Sequence, residues 1–204
     1  MIVTELIEVS KSRSKVYIDY EFAFVLYKGE LRIHGIKKGE VLTEETYLAI
    51  MTKVLPKRAK MRCLNLLKDR SYTEHQLRDK LRQGYYPQDC IDEAIAYVQS
   101  YHYIDDADYA KQFITYQIAH KSRRRIEDDL RKKGISKELI DQAYIDLMEA
   151  GIESDESILI MHWIEKKQYH RDSASEQETQ KLYQFLYRKG FSVELIRKTI
   201  TSFT

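Results

Sequence analysis

The sequence predicts a mainly α-helical protein: three tandem three-helix repeats in an elongated, curved array, preceded by a small N-terminal β-hairpin region. Three observations carry that prediction. The 204 residues include only 7 Gly and 2 Pro, too few for a turn-dense all-β fold. Long charged and aliphatic residues dominate the remainder and favour helices. From Pro56 onward, segments marked by leucine and isoleucine recur three times in register. Apolar residues make up 43% of the chain and charged residues 32%, enough for a sizeable core and against sustained disorder. The expected divisions are a β-hairpin region with a short helix over 1–55, then repeats over 56–105, 106–150 and 151–204.

Ile2 to Val9 and Val16 to Tyr27 are rich in β-branched and aromatic residues. Val16, Ile18, Tyr20 and Phe22 alternate with Tyr17, Asp19 and Glu21, the two-residue period of a strand. The polar stretch SKSRS between the two runs is expected to close a hairpin. Gly29, Gly35 and Gly39 punctuate a short third segment, Leu31 to Ile36. Thr43 followed by Glu44 and Glu45 reads as a helix N-cap with acids where the helix dipole favours them. A sheet of two or three short strands is marginal alone and should lean on the helices that follow.

The repeats align on their apolar residues. The segments LRDKLRQGYYPQDCI from Leu77, IEDDLRKKGISKELI from Ile126 and LYQFLYRKGFSVELI from Leu182 each carry an apolar pair four apart. Those pairs are Leu77/Leu81, Ile126/Leu130 and Leu182/Leu186. A second stripe follows at helical spacing: Ile91-Ala94-Ile95-Val98, Ile140-Ala143-Tyr144-Leu147 and Ile196-Thr199-Ile200-Phe203. Gly84, Gly134 and Gly190 separate the two helices, where a left-handed C-cap is expected. In the first copy the glycine comes one position early, offset by an extra residue afterwards. Thr73-x-x-Gln76 and Ser175-x-x-Glu178 are capping-box patterns, and Ser122, Ser136 and Ser192 suit N-caps. An amphipathic helix precedes each pair, marked by Ala59-Cys63-Leu66-Leu67, Ala110-Phe113-Ile114-Ile118 and Ile160-Trp163-Ile164. Three helices per unit, recurring after 49 and then 56 residues (Leu77 to Ile126, Ile126 to Leu182), suit a stacked array.

Charge is segregated, although the formal net charge is only +2. Residues 57–82 hold nine Lys/Arg against three acids, and residues 121–134 hold seven against three. Residues 83–120 hold one basic residue against six acids, and residues 135–157 one against seven. The second helix of each repeat tends to be basic: Arg78, Lys80 and Arg82; then Arg123, Arg124, Arg125, Arg131, Lys132 and Lys133; then Lys181, Arg188 and Lys189. Stacked in one orientation, these helices would line up a discontinuous basic stripe able to follow phosphates. The same mixed surface suits a protein partner, or simple solvation of helix faces with pairing at i,i+4. The 123–125 triplet stands out, because three arginines at a helix start oppose the dipole and invite an anionic or acidic partner. The 16 tyrosines, clustered at Tyr85-Tyr86 and at Tyr97, Tyr101 and Tyr103, suit base stacking, interface anchoring or plain boundary packing.

Enzyme motifs are missing from the sequence. His34, His75, His102, His120, His162 and His170 show no HExxH or other ligand spacing, and there is no GxSxG, GxxxxGK[ST] or GxGxxG. Asp105-Asp106-x-Asp108, just ahead of a helix, reads as capping rather than a metal cluster. Cys63 and Cys90, 27 positions apart and without CxxC, read as small buried hydrophobes. The N-terminus lacks the basic-then-apolar order of a signal peptide, and no apolar run approaches the ~20 residues of a membrane span. The expectation is a cytoplasmic, non-enzymatic protein without cofactor or metal.

Several motifs resemble a known family. Tyr103-Ile104-Asp105-Asp106-Ala107-Asp108-Tyr109-Ala110, then Ser122-Arg123-Arg124-Arg125-Ile126 and Leu130-Arg131-Lys132-Lys133-Gly134-Ile135, are similar to the signature of the RecX regulators of the bacterial RecA recombinase. The segment from Leu182 to Phe191 resembles that family's last repeat. Asp19-Tyr20-Glu21-Phe22-Ala23-Phe24 resembles an N-terminal strand motif of longer members, with Tyr where Gly is usual. Departures are the early Gly84 and a longer polar insert, Gln168 to Ser175. The resemblance implies tandem three-helix repeats, binding along a RecA nucleoprotein filament, and inhibition of strand exchange and of RecA's co-protease role in the SOS response. It implies no catalysis. The candidate RecA- or DNA-binding residues are then Arg78, Lys80, Arg82, Arg123, Arg124, Arg125, Arg131, Lys132, Lys133, Arg188 and Lys189. Single- or double-stranded DNA is a further candidate partner, no membrane is, and a monomer is expected. Two alternatives stay open: a DNA-binding helical module acting without RecA, and a helical protein-interaction scaffold.

Overall fold

The computed structural model describes residues 1–202. Its N-terminus is a three-stranded antiparallel sheet, β1 (Val3–Ser10), β2 (Arg13–Ile18) and β3 (Glu21–Tyr27), in the order β1-β2-β3. The polar SKSRS stretch does close the first hairpin, with Ser10 paired to Arg13. The expected single run from Val16 to Tyr27 is instead two strands. Asp19 and Tyr20 both take left-handed conformations, with φ 48° and 70°, and turn the chain back on itself. Two bonds hold these residues where glycine is easier: Ile2 N–H donates to Asp19 Oδ1 at 2.9 Å, and Tyr20 N–H donates to Thr4 Oγ1 at 3.0 Å. The alternation therefore ends at Ile18: Tyr20 is 85% exposed at the turn and Phe22 44% exposed.

The segment from Leu31 to Ile36 lies outside the sheet. Lys28–Ile33 forms a short helix, α1, whose Glu30 carboxylate accepts from Tyr27 N–H at 2.7 Å. Thr43 caps α2 (Glu44–Ala49), its hydroxyl accepting from Thr46 N–H at 3.2 Å. The helix then widens into a π-helical turn, Ile50–Val54, before α3 (Leu55–Leu67). In regular α geometry the Pro56 ring would crowd the Thr52 carbonyl, and the widened turn makes room for it.

Three three-helix units follow. The first is α3, α4 (Glu74–Gln83) and α5 (Gln88–Ser100). The second is α6 (Asp106–Gln117), α7 (Arg123–Lys132) and α8 (Lys137–Glu149). The third is α9 (Glu156–Lys166), α10 (Glu176–Arg188) and α11 (Val193–Ser202). The apolar markers of the repeat are its core: Leu77, Leu81, Ile126, Leu130 and Leu186 are fully buried and Leu182 nearly so. In the second stripes Ile91, Ile140 and Ile196 are buried likewise. Phe203, assigned to the last stripe, lies outside the described residues. Thr73 and Ser175 form reciprocal capping boxes, and Ser122, Ser136 and Ser192 accept from the backbone N–H three residues on. Cys63 and Cys90 are both buried free thiols.

The C-cap expectation needs one correction. Gly134 and Gly190 are left-handed, with φ 85° and 96°, but Gly84 is not, at φ −80°. In the first unit Tyr85 takes the left-handed position, at φ 63°. Tyr85 follows Leu77 by the same eight positions as Gly134 follows Ile126 and Gly190 follows Leu182, so the residue after Gly84 takes the cap's place. Gly84 serves a different purpose. A Cβ there would fall 2.8 Å from the Tyr86 ring, which lies across it.

The chain forms two compact units, Met1–Asp105 and a second beginning at Asp106. In the first, Val16, Phe24 and Leu26 of the sheet share one apolar cluster with Leu55, Ala59, Leu77 and Ile95. The small sheet does lean on helices, as its size requires. In the second, the α6–α8 and α9–α11 cores are separate clusters, the latter including Phe191 and the buried Tyr169 of the polar insert. That insert is tied down by Tyr169 Oη to Thr179 Oγ1 at 3.0 Å and by Arg171 donating to the Thr201 carbonyl at 2.7 Å.

Candidate nucleic-acid and protein interface

The basic residues of the second helices have unequal surroundings. Arg78 is bound within the fold: it donates to Glu74 at 2.6 Å and also to Asp92 on α5. That hydrogen bond, with a second from Gln88, holds the Asp92 carboxyl below the usual carboxylate range. Arg82 pairs with Asp79 at 3.0 Å on the surface. Lys80 turns toward the N-terminal sheet and lines a pocket with Arg13 and Arg62.

The start of α7 explains how three arginines are tolerated beside a helix dipole. The Arg123 N–H donates to Glu156 Oε1 at 2.5 Å, so a carboxylate of the third repeat sits at the positive end of the helix. The Arg123 side chain pairs with Glu127 at 2.9 Å and covers the Tyr144 ring at 4.2 Å. Arg123 is therefore satisfied by this chain's own groups. Arg131 is within 3.7 Å of Glu127 and 3.9 Å of Asp128, while Lys133 lies over the Phe113 ring at 5.3 Å. Lys132 and Arg124 are exposed, the latter 5.9 Å from the Tyr187 ring.

Arg125, Arg188 and Lys189 come together. They line a cleft of about 640 Å³ with Lys121, His120, Ser122, Trp163, Phe185 and Phe191, and no carboxylate is among its walls. Local chemistry builds it. Ser122, the α7 N-cap, donates its hydroxyl hydrogen to the Lys189 carbonyl at 2.7 Å, which docks α7 on the turn after α10. Left-handed Gly190 permits this approach, since an added Cβ would meet Ser122 Oγ well inside contact distance. Within the cleft, Lys189 Nζ lies 4.5 Å from the Trp163 ring centroid, and Lys167 Nζ, outside the lining, lies 4.7 Å from that of Phe185. The two rings meet edge to face at 5.3 Å. Two of the lining cations share a carboxylate: Asp129 accepts from Lys121 at 2.8 Å with Arg125 3.9 Å away. Burial raises the Asp129 carboxyl, but those two cations hold it below the usual range. Of the four cations lining the cleft, Lys121 and Arg125 share the half-buried Asp129 carboxylate, leaving a net positive, ring-walled groove suited to a phosphate strand or an acidic protein surface.

The cleft also contains residues that sequence reasoning did not select. Trp163 and Phe185 read as ordinary apolar positions, and both are half-buried against the third core. The available signal was the four-residue spacing of Phe185 on α10 and Lys189 at its C-cap, which puts ring and ammonium on one face. Among the described residues there is no cluster of three His, Cys, Asp or Glu able to hold a metal, and no helix is long and apolar enough to cross a membrane.

This combination defines a tandem three-helix-repeat protein with a cationic, aromatic-walled cleft. Models of RecX match its first three-helix domain at residues 59–97, its second at 105–143 and its third at 155–200. The chain is 33% identical over 204 residues to the regulatory protein RecX of Caldanaerobacter subterraneus subsp. tengcongensis, covering 98% of each chain. It is 28% identical to that of Clostridium botulinum (strain Eklund 17B / Type B), over 94% of this chain and 90% of the relative. A crystal structure of regulatory protein RecX superposes with a TM-score of 0.60 at 25% identity, covering 97% of this chain and 98% of that one. The RecX of Lactobacillus salivarius shares the fold, with a TM-score of 0.59 at 23% identity over 73% of this chain and 96% of that one. The chain belongs to the RecX family of regulatory proteins.

Proposed function

We propose that this protein binds the RecA–DNA filament in the cytoplasm and restrains both recombinase and co-protease activity, without catalysis of its own. The observation that carries this reading is the cleft of Arg125, Arg188 and Lys189 around Trp163 and Phe185, whose walls carry no carboxylate. A groove of this kind can seat on filament phosphate or on acidic RecA surface, and its occupancy would block incoming duplex and cleavage substrates alike. Weak contacts from several repeats add through effective concentration.

The test is RecA-catalysed strand exchange and ATP hydrolysis on single-stranded DNA, with the protein added before and after filament assembly. Suppression at a few molecules per hundred RecA is expected, and dependence on order of addition separates blocked growth from groove occupancy. Charge reversal at Arg125, Arg188 and Lys189 should abolish suppression in a folded protein. Arg123 is unsuitable for this test, because its side chain pairs with Glu127 and covers the Tyr144 ring within the fold. No effect of the unaltered protein at stoichiometric amounts, with the matching RecA, overturns the reading. It would leave a DNA-binding module or a protein scaffold.

A further inference from the structure

The N-terminal sheet and the first repeat enclose a second cationic pocket. It measures about 400 Å³ and is lined by Ser10, Ser12, Arg13, Tyr27, Arg62, Lys80, Gln83, Gly84 and Tyr86. Its cations come from three separate elements: Arg13 opens β2, Arg62 is on α3 and Lys80 on α4. No carboxylate lines it. Neighbouring carboxylates are committed elsewhere: Glu8 to Lys28 at 3.1 Å, Glu30 to Arg58 at 2.6 Å and Asp79 to Arg82 at 3.0 Å. Among the described residues no ion pair neutralises Arg13, Arg62 or Lys80. Three converging like charges repel, and an anion relieves that repulsion.

The lining also indicates which anion. Serine hydroxyls and the Gln83 amide add donors, as a phosphate's oxygens require. The rings of Tyr27 and Tyr86 are occupied by the Arg58 guanidinium, 5.0 and 5.2 Å from their centroids, so they are not free to stack on a base. The pocket thus offers charge and hydrogen bonds without base recognition. Gly84 keeps it open. The corresponding residues in the other repeats are Lys133 and Lys189, whereas here any side chain would strike Tyr86.

We infer that Arg13, Arg62 and Lys80 form a binding site for the phosphodiester backbone of a nucleic-acid strand, which gives the N-terminal sheet a direct part in ligand binding. The site is distinct from the cleft of the second unit, and the inference deepens the filament-regulator reading. Its test needs no RecA, so its failure and the failure of that reading are distinguishable. Binding of a fluorescent oligo-dT to the full chain is followed by anisotropy across a salt series. The Arg13→Gln/Arg62→Gln/Lys80→Gln variant should bind at least tenfold more weakly at low salt. Its salt slope should be smaller by about 2, from roughly 0.7 per phosphate contact on a single strand. Lys38→Gln, a charge loss elsewhere on the same unit, should change neither. Arg62→Gln alone, at an exposed helix position, should lower the slope by roughly 0.7 with the melting temperature unchanged. Wild-type affinity and slope in a folded triple variant overturn the proposal. So does a result in which pyrophosphate raises the melting temperature of the wild type but not of the triple variant while oligo-dT binding is unaltered, because the site then takes free phosphate compounds and not a strand.

Discussion

Arg58 is the residue on which attachment of the N-terminal sheet should depend most, and replacing it with methionine measures that dependence. Its guanidinium donates to Glu30 at 2.6 Å, to the Val25 carbonyl at 2.6 Å and to Tyr86 Oη at 3.2 Å, while lying between the Tyr27 and Tyr86 rings. The side chain is 15% exposed and that of Glu30 21%, so water replaces few of the lost bonds. Methionine retains most of the apolar stem and removes the charge. One charge-assisted bond contributes about 1.5–3 kcal/mol, and breaking a fully buried pair costs about 3–5 kcal/mol. This pair is less than fully buried, so the expected loss is about 3 kcal/mol, or roughly a hundredfold in the folding equilibrium of the first unit. Urea denaturation followed by far-ultraviolet circular dichroism reads it. Glu30→Gln completes a double-mutant cycle, with a coupling of about 1 kcal/mol or more expected between the two positions. A loss below about 1 kcal/mol, or strict additivity in the cycle, would show that Arg58 merely fills space at the seam.

Three other predictions rest on equally local features. Gly190→Ala should destabilise the second unit by about 3 kcal/mol, from the left-handed backbone penalty and the forced separation of Ser122. The fluorescence of Trp163, the single tryptophan, reports that transition, and an unchanged midpoint would refute the close approach. Asp92 is held below its ordinary value first by Arg78, so its contribution to stability is present above the usual carboxylate range, near 3.9, and is lost as pH falls through the lowered one. Asp92→Asn should therefore be less stable than wild type at neutral pH and indistinguishable from it in acid; parallel curves at every pH would contradict this. Burial pushes the Cys63 thiol up to about 11, so at pH 8 its thiolate fraction falls about two-hundredfold below that of a free thiol. Reaction with a disulfide reagent should be slow in the native protein and fast in urea, and rapid native labelling of Cys63 would place it at the surface.

What the sequence determined by itself is the repeat. Apolar positions at i, i+3 and i+4 must share one helical face, so Ile126 with Leu130 or Ile91 with Val98 declare a core stripe without knowledge of its partner. Caps are equally local: the hydroxyls of Thr73 and Ser175 bond to the third residue onward, within reach of the sequence pattern itself. The strand pattern misled at Tyr20 because period-two alternation continues across a two-residue turn, and only long-range bonds from Ile2 and to Thr4 stabilise left-handed Asp19 and Tyr20. The early Gly84 reads as a misplaced cap for a similar reason, since the Tyr86 ring that requires it is invisible to a count of positions. Tertiary structure alone decided which cations are available. Arg78 looks equivalent to Lys80 in a charge profile, yet the Asp92 carboxylate engages the first, while the second lines a pocket without a carboxylate. Charge acts through space across a few ångströms, and the Asp92 carboxylate that engages Arg78 stands 14 residues away along the chain.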